Sequence, residues 1–202
     1  MNLKKLLLCF AFTGIAGCAS NSVPFTEEAQ QVADSYEYVI GPGDNLSIFV
    51  WGYPDLSVTL PVRPDGKITT RLAEDIAASG KTPTELAREI EGVYDEFVKQ
   101  PTVTVSVSSF VGSPDQHIKV VGGGAKPKIV QYKNGMTLLD LMVEVGGLDK
   151  FASGNKSKLV RKAKGKDVSY KVRLHDLLKK GDISANVKLV PGDILIIPES
   201  WF

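Results

Sequence analysis

Eleven apolar residues, Leu6 to Ala16, follow Lys4 and Lys5 and are cut short by Gly17-Cys18-Ala19-Ser20-Asn21-Ser22. A helix crossing the hydrocarbon core needs about 20 apolar residues, so the run is too short to span. It reads as a secretory signal, with a positive start, an apolar middle and small residues at its end. What folds is the remainder. Removing residues 1–17 from 202 leaves 185, with 22 basic and 23 acidic side chains, so the net charge of +1 becomes −1. Cys9 goes with the signal and Cys18 is the one cysteine left.

Ile15-Ala16-Gly17-Cys18 resembles the bacterial lipobox, in which the thiol is alkylated with a diacylglycerol, the chain is cleaved before that cysteine and the new amino group is acylated. The expectation is therefore lipid attachment at Cys18 with cleavage before it. Three acyl chains anchor stably where one is marginal, at about 0.8 kcal/mol per buried CH₂. The plainer reading, a small buried cysteine in a soluble secreted protein, does not account for the order of charge, apolar run and cysteine. With Cys18 occupied, no disulfide, cysteine-ligated metal or catalytic thiol can be built, and stability has to come from apolar burial.

Residues 18–35 are polar with few large apolar groups and read as a lipidated tether. From Tyr36 the pattern changes. Leu46, Ile48 and Val50 alternate with Ser47, Phe49 and Trp51 after Gly41-Pro42-Gly43-Asp44, which predicts a strand entered through a tight turn. Arg63-Pro64-Asp65-Gly66 between Val58–Val62 and Lys67–Thr70 predicts a hairpin. Thr82-Pro83-Thr84-Glu85 is a capping box, with Leu86, Ile90, Val93 and Phe97 at helical spacing behind it and a stop before Pro101. Thr102 to Val107 alternates as a further strand. After the turn-rich Gly112-Ser113-Pro114-Asp115 a second module opens at Ile118–Val121. It continues with a helix from Thr137 to Gly146-Gly147, paired strands around Leu159–Arg161 and Val168–Val172, a short helix Leu174–Lys180, and a final strand Ile194–Ile197 entered through Val190-Pro191-Gly192-Asp193. The fold class expected is α+β in two small domains, residues 36–112 and 116–199.

Catalytic patterns are sparse. His117 and His175 have no cysteine, second histidine or upstream glutamate at metal-ligand spacing, so both read as structural and no metal or other cofactor is expected. Gly122-Gly123-Gly124-Ala125-Lys126 lacks the spacer and the Gly-Lys-Ser/Thr ending of a phosphate loop. No Gly-x-Ser-x-Gly elbow occurs. The reading is that the chain is not an enzyme. A carbohydrate-active enzyme would need two carboxylates converging across a cleft.

Charge is unevenly spread. Between Lys150 and Arg173 nine bases face one acid, Asp167, a net of +8 against −9 for the other 161 mature residues. Two readings stand: a solvated hairpin whose lysines blunt an exposed strand, or a basic lip, with Lys158, Arg161, Lys162, Lys164 and Lys166 as its contact residues, that meets an anionic polymer, lipid headgroups or an acidic partner. Nucleic acid is disfavoured, because export removes the opportunity and only Phe151 and Tyr170 interleave the charges.

Several ordered stretches carry a family resemblance. Tyr38-Val-Ile-Gly-Pro-Gly-Asp44-Asn-Leu-Ser-Ile-Phe-Val-Trp-Gly52, Val62-Arg-Pro-Asp-Gly-Lys-Ile68, Thr82–Leu86 and Pro101–Val105 resemble the polysaccharide biosynthesis/export domain of outer-membrane exporters. Val120-Val-Gly122, Met136–Asp140, Val145–Leu148 and Val190–Pro198 are similar to the soluble-ligand-binding β-grasp (SLBB) domain of the same proteins. The ending Ile197–Phe202, with Gly181–Asn186, is similar to the short exporters of exosortase-associated exopolysaccharide loci. The resemblance implies a lipoprotein of the outer membrane of a Gram-negative bacterium, facing the periplasm. It further implies a ring of copies forming part of an exopolysaccharide conduit, with an inner-membrane polysaccharide co-polymerase as partner. A non-transporting adaptor or structural lipoprotein of the assembly complex is the alternative. Two departures are visible: Lys128 stands where related repeats have glycine, and after Phe202 no residues remain for the pore-forming helix of capsule exporters. The pore is accordingly expected from a separate outer-membrane barrel.

Overall fold

The computed structural model describes residues 23–24, 36–163 and 165–200. Cys18, Lys164 and the Trp201-Phe202 ending lie outside the described residues. Two apolar cores form, one in each half of the chain. The chain is α+β throughout.

A two-residue strand, β1 (Val23–Pro24), precedes the first module. That module contains β2 (Asn45–Val50), β3 (Val58–Pro61), β4 (Lys67–Ile68), β5 (Ile76–Ala77), α1 (Pro83–Tyr94) and β6 (Val103–Ser109). Strands β3, β2 and β6 make an antiparallel sheet in that order. Its period-2 pattern puts Leu46, Ile48 and Val50 opposite Val107, Val105 and Val103 on one face. Against that face α1 lays Leu86, Ala87, Ile90 and Tyr94. The Thr82 hydroxyl accepts the Glu85 N–H, and Glu85 returns a carboxylate to the Thr82 N–H at 2.8 Å, so two otherwise orphaned donors are satisfied. Arg88 donates to the Val103 carbonyl at 3.0 Å and Val103 N–H donates to Glu91 at 2.8 Å, tying helix to strand.

Two expectations change here. The helix ends at Tyr94, with Asp95 as its cap; Tyr94 takes the buried position, and Phe97, beyond the last turn, is exposed. The turn at Arg63–Gly66 forms, with Gly66 N–H donating to the Arg63 carbonyl, but the flanking strands join different sheets. β3 pairs with β2 and β4 with β5, so there is no β3–β4 ladder.

The second module has β7 (His117–Val121), β8 (Lys128–Gln131), α2 (Leu138–Val145), β9 (Lys158–Ala163), β10 (Lys166–Lys171), α3 (Leu174–Lys180) and β11 (Ile194–Ile196). The sheet order is β1-β10-β9-β11-β7-β8, with β11 parallel to β7, β1 parallel to β10 and the other pairs antiparallel. Two hairpins joined through a helix, with a last strand inserted between them, is the β-grasp arrangement. Thr137 and Asp140 cap α2 reciprocally and Gly146, at φ 88°, closes it. Leu138, Leu141, Leu174 and Leu177 pack with Ile118, Val120, Leu159 and Leu195, so both helices cover the same side of the sheet. The glycine run is a packing device: a Cβ on Gly122 would lie 2.2 Å from the Ile197 carbonyl oxygen, and one on Gly124 2.5 Å from the Ile197 side chain. Among the described residues no helix is long and apolar enough to cross a membrane.

Candidate functional site

The β9–β10 hairpin shows what the charge count hides. Register pairs Lys158 with Lys171, Val160 with Ser169 and Lys162 with Asp167, and these residues share the face away from the helices. Leu159, Arg161, Val168 and Tyr170 alternate onto the other face. Arg161 is therefore not part of a contact surface. It is 3% exposed and lies in the core, its Nε and Nη2 on the Asp193 carboxylate at 2.9 and 2.7 Å and Nη2 also on the Lys188 carbonyl at 3.0 Å. Burial pushes the Asp193 carboxyl up, and the Arg161 guanidinium and the Val190 N–H oppose that by stabilising the anion. Of the residues expected in a basic lip, Lys162 and Lys166 are exposed and Lys158 half-buried.

The two Pro-Gly-Asp turns are built alike. Asp44 accepts the Gly41 N–H and Asp193 the Val190 N–H, three residues back in each case. Each carboxylate then reaches far along the chain. Asp193 holds Arg161; Asp44 holds the backbone N–H groups of Val111 at 2.6 Å and Gly112 at 2.7 Å and accepts the Tyr38 hydroxyl. Burial, and then the hydrogen bond to Asp44, push the Tyr38 phenol up. A Cβ on Gly41 would fall 2.1 Å from the Gly112 carbonyl carbon, so the segment entering the first module lies directly on the joint between the modules. Tyr36 stacks edge-on against Tyr132 with centroids 4.8 Å apart, and Gln116 donates to the Glu37 carbonyl, so the second module also grips this segment. From sequence alone both aspartates read as turn residues. No local signal reveals their partners.

An open groove of about 540 Å³ runs past Lys133, Asn134, Asp140, Val143 and Glu144. Asp140 is held by the Thr137 hydroxyl and N–H at 2.7 and 2.9 Å, which keeps its carboxyl below the usual range. These bonds commit the Asp140 carboxylate to closing the first turn of α2. His117 sits with Nε2 2.8 Å from the Val111 carbonyl, and among the described residues no group of three or more His, Cys, Asp or Glu is placed to hold a metal.

Residues 32–108 match the family described as polysaccharide biosynthesis/export protein, and residues 116–197 match the SLBB domain. The chain is similar to the EPS I polysaccharide export outer membrane protein EpsA of Ralstonia nicotianae, 28% identical across 83% of this chain and 49% of that protein. It is also similar to the polysialic acid transport protein KpsD of Escherichia coli, 26% identical across 80% of this chain and 28% of that protein. The chain thus spans about half of the first relative and just over a quarter of the second.

Proposed function

Since the chain belongs to the polysaccharide biosynthesis/export family and carries an SLBB domain, we propose that it is an outer-membrane lipoprotein forming part of the conduit through which an exopolysaccharide leaves the cell. The observation that carries this reading is the ordered pair of family modules, each with its own core and clasped at Asp44. In this reading residues 36–112 are the export domain, 116–199 the SLBB domain, and the lipid at Cys18 holds both at the membrane. The action is passive. Driving force comes from polymerisation or an inner-membrane co-polymerase, and the pore from a separate outer-membrane barrel.

Copies of the chain form a ring around the polymer path. Support for contact between copies comes from Phe49 and Trp51, 48% and 72% exposed, set edge-on with centroids 6.2 Å apart on the first module. Exposed aromatic pairs are favoured anchors of protein interfaces.

The test is deletion of the gene followed by assay of polymer outside the cell and in the periplasm. Loss of extracellular polymer with periplasmic retention is expected. Unchanged secretion overturns the proposal and leaves a non-transporting adaptor.

A further inference from the structure

The sheet of the second module has one covered face and one bare face. Register aligns Lys158, Lys162 and Lys171 of the hairpin with Ile194 and Ile196 of β11, Lys119 and Val121 of β7, and Ile129 of β8, all on the side away from α2 and α3. Ile129 is 66% exposed, Val121 40% and Ile196 36%. The strands of this face contribute four lysines and one carboxylate, Asp167. Aliphatic side chains on β11, β7 and β8 beside the lysines of β9 and β10 suit a surface that is apolar just beneath an anionic layer.

Chain length says which surface that is. Val23 and Pro24 pair in parallel with Tyr170 and Lys171, so β1 borders the hairpin that carries the lysines. Cys18 stands five residues before Val23. At full extension five residues reach about 17 Å, so a lipid on Cys18 holds this edge of the second module within that distance of the bilayer, whatever path the intervening residues take. That reach is an upper bound of about two Debye lengths of about 8 Å, and any shorter path brings the lysines into the range where they feel anionic headgroups.

We infer that the bare face of the six-stranded sheet lies against an anionic phospholipid surface, with Lys158, Lys162 and Lys171 at the headgroups. The inference rests on lipidation at Cys18. It assigns the basic hairpin to the membrane rather than to the exported polymer.

The experiment uses the mature chain with Cys18→Ser, so that only the protein surface can bind. Vesicles of phosphatidylglycerol with phosphatidylethanolamine are compared with vesicles of phosphatidylcholine, and sodium alginate serves as the anionic polysaccharide. Binding to the phosphatidylglycerol vesicles that weakens with salt is expected. Lys158→Gln, Lys162→Gln and Lys171→Gln together should lower partitioning by about a hundredfold, from the attraction of single lysines to anionic surfaces. Lys179→Gln with Lys180→Gln, on the helical side, should leave it unchanged. Ile129→Ser should weaken binding without altering its salt dependence. Absence of vesicle binding, binding indifferent to the triple substitution, or binding of alginate in place of vesicles overturns the inference. The mass of the native protein extracted from membranes reports acylation separately, so an acylated chain whose sheet ignores vesicles overturns this inference and leaves the anchor and export readings standing.

Discussion

The Asp44 carboxylate accepts the Gly112 N–H at 2.7 Å across 68 residues of sequence, at the joint where the first module hands the chain to the second. The same side chain, fully buried, also holds Gly41, Val111 and Tyr38. Hydrogen bonds to a charged group contribute about 1.5–3 kcal/mol each and are not additive within one network. Asp44→Ala is therefore expected to destabilise the chain by about 3 kcal/mol and to loosen the two cores from one another. Calorimetry checks this: one unfolding transition in the parent and two in the variant. A single transition at the parent temperature would show that the carboxylate does not couple the modules.

The buried Arg161–Asp193 pair makes the opposite point about charge. Removing one partner leaves an uncompensated ion in a core, at a cost of about 3–5 kcal/mol. Arg161→Met should cost that much in chemical denaturation, whereas Arg161→Met with Asp193→Leu should recover a large share of it. Equal losses in the single and double variants would show that the ion pair is not the source of the effect.

These two aspartates also show where sequence reading stops. The capping boxes at Thr82–Glu85 and Thr137–Asp140 are legible because their bonds close within three residues. Strand faces are legible in β2 and β6 because alternation is a local property. The period that selected Phe97 continues past the point where the helix ends, so Tyr94 is the residue that fills the core. A charge count places Arg161 among its basic neighbours, and only the pairing of β9 with β10 and β11 turns it inward towards a residue 32 positions away. Local chemistry specified the turns; tertiary pairing decided what each carboxylate holds.

Asp176 gives a pH prediction. Its hydrogen bond to Lys180, followed by that to Asn155, lowers its carboxyl from 3.8 to about 2. A depressed folded pKa contributes stability that is present above the unfolded value and is lost as pH falls through the folded one. The contribution is thus complete near neutral pH and disappears between about pH 4 and pH 2. Lys180→Met should move the Asp176 titration, followed by carboxyl NMR shifts, back towards its ordinary value, so that acid destabilisation sets in at higher pH. An unmoved titration would locate the cause elsewhere.

Trp51, the most exposed of the aromatic pair on the first module, tests the contact between copies. Truncating a tryptophan at the centre of an interface costs about 2 kcal/mol or more, equivalent to about a thirtyfold loss of association. Trp51→Ser leaves a residue with no core contact to lose, so folding should be unaffected while assembly suffers. Analytical ultracentrifugation of the detergent-extracted protein should show a large assembly for the parent chain and smaller species for Trp51→Ser at equal concentration, with the same thermal transition. A second substitution, Phe49→Ser, should act on the same contact and add little to the first, because the two rings form one patch. If neither variant differs from the parent in assembly, the aromatic pair is not a contact between copies.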